Sequence, residues 1–250
     1  MEVSKRALWG TIAALLVLFA VGIWGKWEAE RGNDRFLRHS LRETAGQSEQ
    51  KSAGENAAEN TAEYTEIKRI ALTFDDGPHP TYTEKLLDGL KERGVKATFF
   101  VTGEHAELNP DIIKRMSEEG HLIGNHTYSH IQLTSGNKET FKEELRRTNE
   151  VITEITGQEV TYVRPPYGSW DKAFEKELNM LPVLWSVDPL DWCCSDAACV
   201  ARKVEKSVSE NDIILLHDYY ASSVEAALMI VDALQAEGYE FVTVEELLLD

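Results

Sequence analysis

From residue 68 onward, short apolar runs rich in β-branched and aromatic residues alternate with segments whose apolar residues recur at helical spacing. Segments that alternate in this way indicate βα units arranged around a parallel sheet or barrel. The sequence therefore predicts an α/β fold. The seven predicted strands are residues 69–74, 97–102, 122–125, 161–163, 183–187, 213–216 and 240–242.

The predicted helices between these strands have recognisable boundary residues. Asn109 is a typical N-cap, and Pro110 occupies the first helical position, where a missing N–H costs nothing. Glycine is favoured just beyond a helix because it adopts the left-handed conformation without a Cβ penalty. We therefore expect helices to end at Gly94, Gly120, Gly157 and Gly238.

An uncharged apolar run covers residues 7–25. At about 1.5 Å per residue, a helix of this length nearly matches the ~30 Å hydrocarbon core of a bilayer. Lys5 and Arg6 precede it, and positive charge favours the cytoplasmic side, so the rest of the chain is expected outside the cytoplasm. A cleaved signal peptide is the alternative, with a small-x-small site at residues 20–22. We favour an uncleaved anchor over residues 1–26, because the apolar run continues past that site.

Residues 27–66 are rich in Glu, Gln, Ser, Asn, Gly and Ala and contain few large apolar side chains. Such a segment cannot bury enough surface to offset the conformational entropy lost on folding. We interpret it as a disordered polar linker. The expected organisation is therefore an N-terminal membrane anchor or signal segment, this linker, and one folded domain over residues 67–250.

Composition narrows the choice of partners. The 250 residues include 26 Lys and Arg against 43 Asp and Glu, a formal net charge of −17, so the basic surface that nucleic-acid binding needs is missing. The three cysteines, Cys193, Cys194 and Cys199, are too close together to link distant parts of the fold. Cys199 could pair with either neighbour in an oxidising compartment, or the three could bind a second metal, and we assign them no function.

Ionisable residues follow the predicted strands at their C-terminal ends. In a parallel α/β barrel these ends open on one face, where active sites lie. A structural explanation is difficult, because unpaired buried charges are costly. The residues so placed are Asp75, Asp76, His126, Arg164, Asp188 and His217.

Two of these groups suggest metal chemistry. Asp75 and Asp76 are adjacent carboxylates, which repel each other unless a cation or an arginine offsets one of them. His126 and His130 have the i, i+4 spacing that places two imidazoles on one face of a helical turn, where they can bind one metal. With one aspartate they form a ligand set that leaves positions open for water and substrate. Taken singly, a solvated Asx-type turn and a coincidental spacing are the alternatives.

Three further loops place an arginine, an acid with an indole, and an imidazole at the same face. They are residues 164–168, 188–192 and 215–218, and each alone could be a structural turn or a satisfied core histidine. His79, His105 and His121 lack comparable neighbours in sequence. We interpret His79 as a loop residue and the other two as surface or packing residues.

Taken in order, five motifs resemble those of the polysaccharide deacetylase family with a NodB-type domain, carbohydrate esterase family 4. The resemblance covers about residues 67–250, and no motif departs from the family pattern. It implies a distorted, incomplete (β/α) TIM-like barrel with about seven parallel strands. The motifs are Thr-Phe-Asp-Asp-Gly-Pro at 73–78, His-Ser/Thr-x-x-His at 126–130, Arg-x-Pro-Tyr at 164–167, Asp-x-x-Asp-Trp at 188–192 and Leu-x-His at 215–217.

The resemblance also implies roles for individual residues. Asp76, His126 and His130 would bind Zn²⁺ or another divalent ion such as Co²⁺, which polarises the acetyl carbonyl and binds the attacking water. Asp75 would act as the general base on that water. Arg164 would pair with Asp75 and keep it in position.

On the leaving-group side, the resemblance makes His217 the acid that protonates the departing amine, with Asp191 orienting its ring. The backbone N–H of Tyr167 would help to stabilise the tetrahedral oxyanion. Trp192 and Leu215 would line the pocket for the acetyl methyl group. Loop aromatics that could stack on sugar rings are Tyr128, Trp170, Tyr219 and Tyr220.

The expected function is that of a metal-dependent hydrolase removing N-acetyl groups from N-acetylglucosamine units of an extracellular glycan. Peptidoglycan is the first candidate because an exported, membrane-tethered domain needs a substrate near the membrane, followed by chitin-type oligosaccharides and O-acetylated xylan. Two other classes stay open. A non-haem Fe(II) oxygenase uses the same ligand set but needs neither Asp75 nor His217, and a non-catalytic glycan-binding module would keep only the fold.

Overall fold

A computed structural model describes residues 67–249 of the chain. The predicted membrane segment, residues 1–26, and the predicted linker, residues 27–66, lie outside the described residues. Within residues 67–249, no helix has the combination of length and hydropathy expected of a membrane span.

Residues 67–249 contain seven strands: β1 Lys68–Asp75, β2 Thr98–Val101, β3 Leu122–Asn125, β4 Tyr162–Val163, β5 Leu181–Pro182, β6 Ile213–His217 and β7 Tyr239–Val242. They form one sheet in the order β5-β4-β3-β2-β1-β6, and β7 pairs with the first half of β1. Every strand pairing is parallel. The predicted seven-stranded, incomplete (β/α) barrel is therefore confirmed.

β1 is the centre of this sheet because it pairs with β2, β6 and β7. From Ile70 to Asp75 each of its residues is buried, which is typical of a parallel strand covered on both faces. Leu72 and Phe74 lie in the main hydrophobic core, where Phe74 stacks on Phe99 of β2 with ring centroids 5.2 Å apart. The strand is therefore fixed along its length, and so is the residue at its end.

In the described part of the chain, eight α-helices connect and follow the strands. Their predicted ends are confirmed, because Gly94, Gly120, Gly157 and Gly238 all have positive φ. The loops that follow β4 and β5 also contain 3₁₀ turns, at Pro166–Gly168 and Asp191–Cys193. The helices are α1 Tyr82–Glu92, α2 Gly103–Leu108, α3 Pro110–Glu118, α4 Lys138–Thr156, α5 Lys172–Glu175, α6 Ala197–Ser207, α7 Ala221–Ala236 and α8 Val244–Leu249.

The N-cap predicted before α3 is only half correct. Asn109 does occupy the N-cap position, and Pro110 begins the helix. The Asn109 side chain makes no capping bond to α3. Its side-chain nitrogen, Nδ2, instead donates to the carbonyl oxygen of His105 at 2.9 Å. The side chain therefore stabilises the end of α2 rather than the start of α3.

The fifth strand was predicted wrongly as residues 183–187. The strand that pairs with β4 is Leu181–Pro182, and Val187 makes an isolated parallel bridge to Ile214 of β6. This bridge places the segment after β5 beside β6, which lies at the other end of the sheet order. The strand is interrupted between Pro182 and Val187 because the carbonyl oxygens of Val183 and Leu184 accept hydrogen bonds from the buried side chain of Arg164.

Residue burial in β1 gives a direct test of the core. Leu72→Ala should lower the free energy of unfolding by about 2–5 kcal/mol, because Leu72 is 0% exposed and its removal leaves a cavity. Leu108→Ala is the matched control, and with 70% exposure it should change stability by less than about 0.5 kcal/mol. Urea unfolding of the full chain measures both, and equal effects would contradict this description of the core.

Candidate active site

The predicted site residues converge at the carboxyl edge of the sheet. β1 ends at Asp75 and β6 at His217, and these two residues are register partners on neighbouring strands. His126 follows β3 directly, and Arg164 follows β4. Asp75, His126 and His217 line a cleft of about 390 Å³, and Arg164 lies fully buried beside Asp75. Its walls are formed by Asp75, Asp76, His126, His130, Tyr167, Trp185, Asp188, Trp192, Leu215, His217 and Tyr220.

Three side chains in the cleft have metal-ligand spacing. Nε2 of His126 and Nε2 of His130 lie 3.5 and 3.3 Å from Oδ1 of Asp76, and the three ligand atoms lie within 4.8 Å of one another. Among the described residues, this is the one such group. Oδ1 of Asp76 is buried without a hydrogen-bond partner, so the arrangement fits a divalent cation.

The protonation states also suit a metal. Nδ1 of His126 lies 2.6 Å from the carbonyl oxygen of Arg164, and because a carbonyl only accepts, Nδ1 carries a proton and Nε2 is the nitrogen directed at Asp76. Burial raises the pKa of Asp76, but the neighbouring imidazoles of His126 and His130 lower it to about 2 when they are protonated. Burial lowers the pKa of His130. An ionised carboxylate and neutral imidazoles are the forms that bind a metal.

The predicted helical turn between the two histidines is wrong. Thr127 and His130 both have left-handed backbone angles, with φ of 64° and 56°, and the segment is a loop. Such conformations cost on the order of 1–3 kcal/mol each for residues other than glycine, so other contacts must fix them. The amide of Thr127 donates to Oδ1 of Asn125 at 2.7 Å, and the amide of Ser129 donates to Glu144 of α4 at 2.6 Å.

Asp75 is held by a buried ion pair, as predicted. Its Oδ1 accepts from Nη1 of Arg164 at 2.8 Å, and both side chains are almost fully buried. Its other oxygen, Oδ2, lies 3.7 Å from Nε2 of His126 and so faces the candidate metal ligands. Asp75 is therefore oriented with one oxygen bonded and the other directed into the cleft.

The side chain of Arg164 makes four hydrogen bonds in all. Arg164 also donates to the hydroxyl of Thr73 at 2.6 Å and to the carbonyl oxygens of Val183 and Leu184 at 3.2 and 3.3 Å. Its guanidinium lies 4.2 Å from the centroid of the Phe100 ring. Because these carbonyl oxygens accept hydrogen bonds from the arginine side chain, the segment after β5 does not continue as a regular strand.

His217 and Asp191 form the second predicted pair. Oδ1 of Asp191 lies 2.8 Å from Nδ1 of His217, and Oδ2 accepts from the His217 backbone amide at 2.8 Å. Burial disfavours the imidazolium, but the hydrogen bond and charge of Asp191, with the charges of Asp75 and Asp76, raise the pKa of His217 to about 9. The raised pKa favours the protonated ring at neutral pH, and the two bonds to Asp191 fix its orientation.

The predicted substrate-binding residues line the same cleft. Tyr167 has φ of 60°, and its ring packs edge-on against His130 with centroids 4.9 Å apart. Trp192 is 56% exposed, whereas Leu215 is buried at the cleft wall. Their roles toward an acetyl group or an oxyanion stay predictions. Trp170 lies elsewhere, because it packs on Phe141 and Phe174 in the core rather than in the cleft.

Tyr220, one of the aromatics predicted to stack on sugar rings, lines the cleft. Sequence reasoning missed two other residues at the site. Trp185 lines the cleft but belongs to no motif. His105, interpreted as a surface or packing residue, lies with Nδ1 2.7 Å from the carbonyl oxygen of Asp76. No sequence signal marks this contact, because it joins residues 29 positions apart. The three cysteines, which all lie in the described part of the chain, are free thiols.

Fold and site together define a class: an incomplete (β/α) barrel whose mouth brings a 2-His–1-carboxylate set beside a positioned carboxylate and a positioned histidine. Residues 62–184 match the family described as Polysaccharide deacetylase. The chain belongs to this family.

Characterised relatives support the same assignment. The chain is 40% identical over 180 residues to the Listeria monocytogenes peptidoglycan-N-acetylglucosamine deacetylase PgdA, covering 72% of this chain and 39% of that protein. It is 35% identical over 192 residues to a chitooligosaccharide deacetylase of Rhizobium leguminosarum bv. trifolii, covering 70% of this chain and 89% of that one. The structure of peptidoglycan deacetylase PdaC from Bacillus subtilis matches with a TM-score of 0.71 and 38% identity, covering 73% of this chain and 91% of that chain.

The His217–Asp191 pair predicts a specific titration in the metal-free protein. Asp191→Asn should lower the pKa of His217 from about 9 toward its ordinary value of about 6.5, because burial remains while the main opposing charge is lost. The raised pKa also means that His217 stabilises the fold below about pH 6.5, and that this contribution disappears as the pH rises through about 9. The variant should lose that dependence.

Histidine NMR signals followed between pH 6 and 10 measure this titration. His121 is the internal control: burial lowers its pKa to about 4, so it should stay neutral in both proteins. An unchanged midpoint for His217 in the variant would show that Asp191 does not set its pKa.

Proposed function

We propose that this chain is a metal-dependent hydrolase that removes N-acetyl groups from N-acetylglucosamine residues of an extracellular glycan, with peptidoglycan as the first substrate. The supporting observation is the grouping in one cleft of a metal-ligand set, a carboxylate fixed by Arg164 and a protonated histidine fixed by Asp191. Asp76, His126 and His130 would hold Zn²⁺ or a similar ion such as Co²⁺. When bound, the ion supplies Lewis-acid chemistry that polarises the amide carbonyl and acidifies a water.

Asp75 is the general base in this proposal. Its free oxygen, Oδ2, faces the metal ligands and can take the proton of the attacking water. Arg164 keeps the carboxylate from rotating because it holds the other oxygen. The base therefore needs no reorientation when the substrate enters.

His217 is the general acid. Breaking the C–N bond requires a proton on the departing amine nitrogen, because a deprotonated amine (RNH⁻) is a poor leaving group. The raised pKa of His217 supplies that proton at neutral pH, and the bond to Asp191 directs the ring. At the cleft wall, the backbone N–H of Tyr167 would help to stabilise the oxyanion, and exposed Trp192 with buried Leu215 would line the pocket for the acetyl methyl group.

Peptidoglycan comes first because the names of the Listeria and Bacillus proteins both refer to it. The Rhizobium relative keeps chitin-type oligosaccharides as the second candidate, and O-acetylated xylan is third. Export by residues 1–26, as an uncleaved single-pass anchor or a cleaved signal, would place the domain outside the cytoplasm beside such a polymer. The chain spans 39% of the Listeria protein, so the activity of that whole protein is carried over only as part of this proposal.

Two other functions explain less of the site. An Fe(II) oxygenase could use the ligand set, but the Asp75–Arg164 and His217–Asp191 pairs would then have no role. A non-catalytic glycan-binding module would need neither pair. Both pairs are complete in this chain, which favours hydrolysis.

Acetate release by the full, Zn²⁺-loaded chain tests the proposal on peptidoglycan and on N-acetylglucosamine oligomers. Asp75→Asn and His217→Ala should each reduce the rate about 10²- to 10⁴-fold, the usual contribution of one acid or base. Asp232→Asn is the control, because Asp232 is an exposed α7 residue paired with Arg93. Release that requires oxygen and Fe²⁺ would support the oxygenase, and glycan binding without acetate release would support the binding module.

A further inference from the structure

The first turn of helix α2 contacts both parts of the proposed metal site. The amides of Gly103 and Glu104 donate to the carbonyl oxygens of Thr127 and Tyr128, each at 3.0 Å, in the loop between the two metal-ligand histidines. The next residue, His105, bonds through its ring to the backbone of Asp76, the carboxylate ligand. One helical turn therefore connects the two chain segments that supply the ligands.

The bond from His105 has a defined polarity. The carbonyl oxygen of Asp76 can only accept, so Nδ1 of His105 carries the hydrogen and donates it across 2.7 Å. The ring is kept in this position by stacking on Tyr219, with centroids 5.1 Å apart and planes at 22°. Asp76 itself has a left-handed backbone, with φ of 73°, so its conformation depends on contacts of this kind.

The close approach of α2 depends on the residue before these two. A side chain at Gly103 would overlap the ring of Tyr128 and would bring its Cβ within 2.7 Å of the Thr148 hydroxyl. The absence of a Cβ therefore allows the helix start to reach the loop. With α2 fixed against the histidine loop, the His105 ring sets where the Asp76 backbone lies relative to that loop.

We propose that His105 is a positioning residue for the metal site, and that its Nδ1–H bond to the Asp76 carbonyl sets the placement of Asp76 relative to His126 and His130. This inference rests on the metal site of the proposed function. It assigns no chemistry to His105, which acts through Asp76. Hydrogen-bonded groups behind metal ligands typically change metal affinity about 10- to 100-fold when they are removed.

Two substitutions separate the hydrogen bond from the ring. In His105→Asn the amide nitrogen occupies about the position of Nδ1, so the bond to Asp76 is kept while the stack on Tyr219 is lost. In His105→Phe the ring is kept and the donor is lost. His121→Asn is the control, because His121 accepts from the Ala97 amide at 3.1 Å at the start of β3, away from the ligands.

The measurement is the Zn²⁺ dissociation constant of each full chain, obtained by competition with a chromophoric chelator, together with the Tm of the metal-free protein. We expect His105→Phe to weaken Zn²⁺ binding about 10- to 100-fold. His105→Asn should stay within about threefold of the parent, and His121→Asn should bind as the parent does, whatever its Tm. Rescue by asparagine is the result that a general loss of stability would not produce.

Two results would overturn this inference. One is parental Zn²⁺ affinity in His105→Phe. The other is equal weakening in His105→Phe and His105→Asn, which would assign the effect to ring packing. Both are read from metal binding alone, so they are distinct from a failure of the proposed function, which would appear as a parent protein that binds Zn²⁺ and releases no acetate.

Discussion

The ion pair between Arg164 and Asp75 is the interaction on which the site depends. A guanidinium with 0% exposure is costly to bury, and it is stable here because its donors reach Asp75, Thr73 and two backbone carbonyls while its face lies on Phe100. Removing either charge would leave the other buried and unpaired. The pair thus joins the ends of β1 and β4 with the segment that follows β5.

The same arginine connects the proposed base, Asp75, to the proposed metal ligands. Its side chain orients Asp75, and its backbone carbonyl accepts from Nδ1 of His126 and so fixes which nitrogen of that ring faces the cleft. His217, at the end of the neighbouring strand β6, is oriented separately by Asp191. Each of the two proposed reacting groups, Asp75 and His217, is therefore oriented by a charged partner that is more deeply buried than the group itself.

Much of this arrangement could be predicted from the sequence, because local patterns of apolar and polar residues indicate which residues are buried and where strands end. The apolar run before Asp75 and the apolar residues before His217 predicted β1 and β6, and parallel strands bring their ends to one face. The glycines after the helices were equally readable. Where a residue's conformation follows from its neighbours in sequence, the prediction was correct.

The failures have a common physical cause. The strand predicted at 183–187 is interrupted because its carbonyls bond to Arg164, and the turn between His126 and His130 is a loop because distant donors and acceptors hold it. The role of His105 likewise depends on Asp76, far away in sequence. Local periodicity describes which residues are buried, but not which partner a carbonyl or amide will find.

The central claim is that one divalent ion binds at Asp76, His126 and His130 while Asp75 stays a base rather than a ligand. A crystal structure of the Zn²⁺-loaded protein, with zinc located by anomalous scattering, tests it directly. We expect one zinc bound by those three side chains, with Asp75 still paired to Arg164 and its Oδ2 free to accept from a water. Zinc bound elsewhere, or bound by Asp75 with the Arg164 pair broken, would contradict the account.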